Sequence, residues 1–487
     1  MYTKNCYIDG VWVQGAGVEF SSYNPANGDV VWCGHAASAA QVNLACEAAL
    51  GAQGEWLAIG FEGRALIIRK YRELVEAHKA ELTEMISCEM GKALWDAVGE
   101  VAAMIGKIAL SESAYAKRTG ENVTEQAGFN SVLRHKAHGV VAVFGPYNFP
   151  CHLPNGHIVP ALLAGNCVLF KPSEITPQTG AFMMHLWDLA GLPKGVMSLL
   201  QGEKNIGIAL SKADINGLFF TGSSATGKYL HKHFAGRPEV MLALEMGGNN
   251  PLIVAQVSDV EAACYHIIQS AFITSGQRCT CARRLILLDS EADEILVKLV
   301  EMTKALRVGL WNDENEPYMG PLVNGKVAND YMLTYANLVM RGGKALLDPK
   351  KLRDIEALVS PGIVDVSGVE DIEDEEIFAP LLQVYRVADF EAAIAVANDT
   401  KYGLSAGVIS DNRDLYEAYL SRSHAGIINF NRQTTGASGA APFGGIGCSG
   451  NHRPSAFYAA DYCAYPIASV EADEVVMPKQ LPIGFGA

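Results

Sequence analysis

The chain has 487 residues, 49% hydrophobic and 19% charged, ample for two or three packed domains and unlike a disordered or fibrous protein. Its formal charge of −15 excludes the broad basic surface that grips nucleic acid through counterion release. Eleven cysteines, scattered from Cys6 to Cys463 without paired zinc-type spacing, point to free thiols in a reducing cytoplasm rather than to a disulfide framework.

In chain order, residues 1–10 carry Lys4, Asn5 and Asp9, so they lack the uninterrupted apolar stretch of a secretory leader. Tyr71, Leu74, Val75, His78 and Leu82 fall at the spacing of one apolar helical face. The polar stretch 117–136 fits no core element and reads as an excursion or an arm between subunits. Short apolar runs at 140–144, 168–170, 197–200, 218–220, 241–244 and 252–254 then alternate with helix-like segments, the pattern of a parallel α/β sheet. The longest apolar run, 158–170, is broken by Pro160, Gly165 and Asn166 and falls short of the roughly 20 residues that span a bilayer, so no membrane association is expected. A second α/β series follows, with a helix over 260–274, a strand over 284–288 and a helix over 293–306.

Five local patterns carry chemistry. Gly222-Ser223-Ser224-Ala225-Thr226-Gly227 lies between a strand and a helix, where glycines and unpaired helix N–H groups cradle a phosphate. Extended to Lys228 it also resembles a nucleotide-triphosphate loop, but Tyr229 stands where a magnesium-binding Ser or Thr is needed. Lys171-Pro172-Ser173-Glu174 ends a strand; Glu174 either accepts bonds from ribose hydroxyls, favouring NAD over NADP, or is a solvated turn residue. Gly276-Gln277-Arg278-Cys279 offers a thiol that is either a nucleophile or a small buried residue, and Cys281 beside it reads as the latter. Glu245-Met246-Gly247-Gly248 places an acid at a strand end, and Pro146-Tyr147-Asn148-Phe149-Pro150 stiffens a turn around an amide donor.

Together these motifs, in this order, resemble the aldehyde dehydrogenase family across essentially the whole chain. The resemblance implies Cys279 as nucleophile, Glu245 as general base and Asn148 in the oxyanion hole. It implies that Tyr147, Lys171, Ser173, Glu174, Gly222, Ser223, Gly227, Gly247, Glu376 and Phe378 bind NAD, with NADP the less favoured dinucleotide, and that no metal takes part. Ala379 stands where many members have Gly, Met246 where many have Leu, and Pro442-Phe443-Gly444-Gly445 completes the match. The implied fold is α/β: a Rossmann-type dinucleotide-binding domain (1–116 and 138–247), an α/β catalytic domain (248–430) and small β oligomerisation arms (117–137 and 453–487). Residues 431–452 are then a return segment carrying a substrate loop, and the arms imply a homodimer or homotetramer.

A closer resemblance is to the subfamily that oxidises N-succinylglutamate 5-semialdehyde in arginine breakdown. It lies in His152-Leu153-Pro154-Asn155-Gly156-His157, Gly450-Asn451-His452-Arg453-Pro454-Ser455 and Tyr458-Ala459-Ala460-Asp461-Tyr462-Cys463. Cys151, where that subfamily has Gly, is expected to alter the wall of the aldehyde tunnel. A substrate with several carboxylates needs cationic partners, because an unpaired buried carboxylate is costly. Arg278, Arg432 and Arg453 are the candidates, each with the alternative of a structural ion pair, while His152 and His157 read as packing or surface histidines.

Overall fold

The computed structural model describes residues 4–478 and 480–486. Five apolar segments, Val140–Phe144, Cys167–Lys171, Met197–Leu199, Gly217–Gly222 and Met241–Met246, pair in parallel. Strands covered on both faces have no solvent side, so Val140–Phe144 is buried at every residue and is written as a continuous apolar run. Antiparallel strands Cys6–Ile8 and Val11–Val13 extend this sheet beyond Met197–Leu199 to seven strands.

Chain order reverses about Val140–Phe144. It runs outward through Cys167–Lys171 and Met197–Leu199, then crosses to Gly217–Gly222 on the other side. Open α/β sheets bind their ligands at the carboxyl ends of strands beside such a reversal. Segments 145–150, 171–174, 222–227 and 245–248, which hold four of the sequence motifs, all lie at carboxyl ends of this sheet.

A second seven-stranded sheet contains Asn250–Val254, Ala282–Leu288, Gly362–Asp365, Leu381–Val387, Ser405–Ile409 and Ile427–Phe430 in parallel, with Lys344–Leu347 antiparallel at one edge. Its helices Val260–Ala271 and Asp289–Lys304 occupy the segments where periodicity predicts them. The last residues of the first expected helix instead form a tight turn, Ile273–Gly276. A third sheet joins Asn122–Gln126, Phe129–Ala137 and Ala464–Glu471 in antiparallel fashion, and Asn122–Gln126 is exposed at every residue.

Three expectations are modified. The apolar face at 71–82 belongs to two helices, Gly60–Ala77 and Lys79–Met90, because His78 (φ −102°, ψ 19°) breaks the spiral. Pro160 does not end its segment: it sits inside the helix His152–Ala164, which stops at Gly165 in the left-handed region (φ +100°). The tail after Arg453 is not all arm. Ser455–Ala456 pairs with Pro442–Phe443, and the helix Ala459–Cys463 packs into the first domain with Tyr462 fully buried against His157. Among the described residues no helix is long and apolar enough to cross a membrane, and no cluster of His, Cys, Asp and Glu could hold a metal ion.

Candidate active site

Cys279 follows a turn of unusual backbone. Thr274 (φ +54°), Ser275 (φ +55°) and Gly276 (φ +72°) are consecutive left-handed residues, a costly geometry for a β-branched side chain that surrounding contacts must hold. Thr274 donates its hydroxyl to Asp96, Ser275 donates to the Gly320 carbonyl (2.6 Å), and Gly276 presses on the Ala379 carbonyl, which a Cβ there would meet at 2.3 Å. The carbonyls of this loop are then taken one by one. Gln277 O accepts from Asn148 Nδ2 (2.9 Å), Arg278 O from Arg283 Nη2 (3.0 Å), and Cys279 O from Asn250 Nδ2 (2.7 Å). Among the described residues no acceptor takes the Cys279 N–H.

The thiol is half-buried, and burial pushes it up, with the Glu376 and Glu245 carboxylates adding to the rise and Arg283 opposing it. It therefore rests as a thiol and needs a base. Asn148 stands on the turn after Val140–Phe144, 4% exposed, and its bond to Gln277 O orients the carboxamide so that its second N–H remains free for a ligand.

Glu245 ends the strand Met241–Met246 and is 4% exposed. Oε1 accepts from the Ser455 N–H (3.3 Å), while Oε2 has no protein partner. Burial pushes this carboxyl well above the usual range, with Ser455 and Lys107 opposing. Beside it lies a cavity of about 20 Å³ lined by Lys107, His152, Gly156, His157, Thr221 and Ser455, room for about one water. Burial lowers Lys107 to about 8, against the attraction of Glu245. His152 and His157 are both pushed down to about 3, chiefly by burial, so both are neutral. His157 is fixed between the Tyr462 hydroxyl (2.7 Å) and Thr221 Oγ1 (3.0 Å), a packing role, while the half-buried His152 is in the cavity wall.

The expected dinucleotide residues fall into two groups. At the first sheet, Ser223 caps the helix Ser224–His233 by accepting from the Thr226 N–H (3.3 Å), so the N-terminus of that helix follows directly on Gly222. Gly227 packs against Met246. Lys171, 7% exposed, pairs with the half-exposed Glu174 at 3.5 Å, and Ser173 Oγ accepts from the Ile175 N–H. In the second group Glu376 approaches the backbone so closely that a Cβ at Gly247 would meet its Oε2 at 1.8 Å. Its Oε1 accepts from the Gly248 N–H (3.3 Å), and burial pushes it up to about 7 with Arg283 opposing. Tyr147 and Phe378 meet edge to face at 6.0 Å.

Two expectations about specificity are corrected. Arg278 is already spent: it pairs with Asp96 (2.7 Å), donates to Thr274 Oγ1 (2.8 Å) and lies 5.0 Å above the Phe149 ring, so it holds the nucleophile loop. Cys151 is 0% exposed in the main core cluster and does not line the cavity. Arg432 and Arg453 are exposed, and neither forms an ion pair among the described residues. Motif reasoning missed Lys92, Asp96, Glu100 and Lys107; the last three share one face of the helix Leu94–Ala114, and Lys92 lies in the segment just before it.

Two doubly covered parallel sheets, with a thiol, an amide donor and a buried carboxylate gathered where they meet, define an α/β enzyme built for covalent chemistry on a small molecule. The chain belongs to the aldehyde dehydrogenase family, whose sequence profile matches residues 12–466. Solved relatives share the whole architecture. They include 1-pyrroline-5-carboxylate dehydrogenase from Thermus with bound NAD (30% identity, 96% of this chain and 93% of that one covered, TM-score 0.90). A putative methylmalonate-semialdehyde dehydrogenase from Sinorhizobium meliloti 1021, complexed with NAD, is 25% identical (98% and 99% covered, TM-score 0.91). An NADP-dependent glyceraldehyde-3-phosphate dehydrogenase from Bacillus halodurans C-125, complexed with NADP, is 26% identical (97% and 100% covered, TM-score 0.90).

Proposed function

We propose that this enzyme oxidises N-succinyl-L-glutamate 5-semialdehyde to N-succinyl-L-glutamate with NAD, through a thioester on Cys279. The observation that supports the chemistry is the bond from Asn148 Nδ2 to Gln277 O, which ties an amide donor to the loop two residues before Cys279, whose own N–H has no protein acceptor among the described residues. An aldehyde has no leaving group, so its carbon must first become tetrahedral. The Cys279 thiol gives its proton to Glu245 through water and the thiolate adds to the carbonyl carbon. Negative charge arises on the aldehyde oxygen, where Asn148 Nδ2–H and Cys279 N–H receive it, at about 3 kcal/mol per donor. NAD, when bound, supplies the hydride acceptor that converts this adduct into a thioester. Glu245 releases that first proton to solvent and then takes one from water, whose oxygen attacks the acyl carbon; the C–S bond breaks, Glu245 returns its proton to the Cys279 thiolate, and the acid leaves as a carboxylate and a proton.

The residues present fit a dinucleotide. The N-terminus of Ser224–His233 suits a pyrophosphate, and Glu376 Oε2, without a hydrogen-bond donor, suits a ribose hydroxyl. Glu174 beside Lys171 favours a free 2′-hydroxyl over a 2′-phosphate, hence NAD over NADP. For the substrate, support comes from the subfamily-like segments after Cys151 and after Gly450, and from the unpaired cations Arg432 and Arg453 in or beside the return loop. That loop reaches the helix Leu94–Ala114, where Gly439 lies against Leu110. The exposed edge strand Asn122–Gln126 suits pairing with a second copy, giving a homodimer or homotetramer, and eleven free cysteines suit the cytoplasm.

The deciding experiment measures NADH formation with N-succinylglutamate semialdehyde beside succinate semialdehyde, glutamate semialdehyde and an aliphatic aldehyde, with Cys279→Ala as control. Preference in kcat/KM for the succinylated substrate is expected. Equal or better turnover of another semialdehyde, the class named for the Sinorhizobium relative, sinks the substrate assignment but keeps the chemistry. Activity in Cys279→Ala sinks the mechanism.

A further inference from the structure

The helix Leu94–Ala114 buries charges that the thioester chemistry leaves unexplained. Lys92, just before it, and Glu100, on its second turn, form an ion pair at 2.7 Å with both side chains 0% exposed. Burying such a pair costs several kcal/mol in desolvation, and hydrophobic residues serve stability as well or better. A reason other than stability is needed, and the remaining bonds supply it.

Lys92 Nζ also donates to the main-chain carbonyl of Asn148 (2.8 Å) and lies 3.7 Å from the centre of the Phe149 ring. Glu100 Oε1 accepts the N–H groups of Cys151 (2.9 Å) and His152 (3.2 Å), the unpaired donors that open the helix His152–Ala164. The pair therefore grips the oxyanion turn on both sides of Phe149. Between Lys92 and Glu100 in sequence stands Asp96. It is 3% exposed, accepts from Arg278 Nη2 (2.7 Å) and takes the Thr274 hydroxyl. Asp96 thus holds the left-handed turn that carries Cys279. Phe149 closes the set, with Lys92 at 3.7 Å and Arg278 at 5.0 Å from its ring centre.

We propose that Lys92, Asp96 and Glu100 are positioning residues that register the oxyanion donor Asn148 against the nucleophile Cys279 across the boundary between the two sheets. This rests on the assignment of Asn148 and Cys279 above. Asp96 and Glu100, about 6 Å apart along one helix face, carry contacts to both loops, and Lys92 adds its own from the segment just before the helix, so neither loop shifts without the other. The acyl-forming step depends on an amide placed within a few tenths of an ångström, and a buried charge network provides that stiffness where an apolar contact slides.

The test reads the pre-steady-state burst of NADH, which reports formation of the acyl-enzyme. Lys92→Met/Glu100→Gln removes both charges together and keeps an acceptor for the Cys151 and His152 N–H groups, so the fold is retained; thermal unfolding checks this. Lys92→Arg, which keeps the charge on a longer fork, is the second variant, and Asp96→Asn probes the nucleophile side. The expected burst is slowed by roughly 10- to 100-fold in each, within the roughly 100-fold loss expected of Asn148→Ala. With NAD affinity unchanged, no further slowing follows when the Lys92 and Glu100 changes are added to Asn148→Ala. Wild-type bursts in folded Lys92 variants, beside a slow Asn148→Ala, overturn the positioning role alone. Losses that multiply in the Asn148→Ala background also overturn it. A wild-type burst in Asn148→Ala overturns the oxyanion assignment itself.

Discussion

Lys107 is the cation that opposes the rise in Glu245, and replacing it by Met tests how deacylation is controlled. An opposite charge within about 4–6 Å moves a carboxyl by about 1–3 pKa units. Glu245 is already held well above the usual range by burial. Losing the ammonium raises it further, so at any pH below its new pKa the basic form falls tenfold per unit. Lys107→Met is expected to cut steady-state turnover near neutral pH by roughly tenfold or more and to move the rising limb of the pH profile alkaline by about 1 unit or more. Unfolding does not explain that loss. Lys107 falls from 10.5 to about 8 on folding, so its charged form is disfavoured in the folded state by ~3 kcal/mol. Wild-type stability from this group rises with pH between about 8 and 10.5, where only the unfolded chain holds the proton, and Lys107→Met lacks that rise while being no less stable below pH 8. The assay is stopped-flow NADH formation from pH 6 to 9 in roughly half-unit steps. Because Glu245 takes the proton of Cys279 as well as that of water, both the burst and the steady state are expected to slow near neutral pH, each with its rising limb moved alkaline. An unshifted profile in both phases would refute the link between Lys107 and Glu245.

Glu245→Gln keeps the shape but removes the base for both proton transfers, so the burst should slow, and the acyl-enzyme that does form should persist long enough for intact-mass detection; sustained turnover would exclude Glu245 as the deacylating base. Glu174→Ala frees Lys171 from its 3.5 Å partner and removes the carboxylate proposed to hold the adenosine ribose. The ratio of kcat/KM for NADP to that for NAD should rise by roughly tenfold, the effect of about 1.4 kcal/mol, and an unchanged ratio places the ribose elsewhere. Gly276→Ala combines a left-handed backbone with a Cβ 2.3 Å from the Ala379 carbonyl, and a loss of roughly 2–4 kcal/mol in denaturant unfolding is expected, with activity falling alongside. Wild-type stability in that variant would mean the turn relaxes without cost.

What the sequence disclosed follows from where the chemistry sits. Asn148, Glu174, Gly222 and Glu245 lie at or just beyond the carboxyl ends of strands in the first sheet, so each is a polar or glycine residue closely following an apolar run. Such a boundary is local and can be seen without knowing what it packs against. Cys279 and Glu376 lie in irregular segments with no periodicity, and only the spacing of G-Q-x-C and E-x-F-x-P marks them. The arginines show the limit of local reasoning. Arg278 beside the nucleophile is a sensible partner for a substrate carboxylate until Asp96, 182 residues earlier, is seen to occupy it.

The helix Leu94–Ala114 escaped for a related reason, and the reason bears on function. Its buried positions include Asp96, Glu100, Val101, Met104, Lys107 and Ile108. A reader looking for apolar residues every third or fourth position finds charges there and assigns the face to solvent. The pattern fails because this face packs against loops and strand ends rather than against apolar side chains alone: Asp96 holds the turn before Cys279, Glu100 the turn of Asn148, and Lys107 faces Glu245. Loops cannot satisfy their own backbone polar groups once buried, so some neighbouring element must bring charges to them. Where a helix breaks the apolar rule at several positions on one side, the broken side is the one that touches the active site.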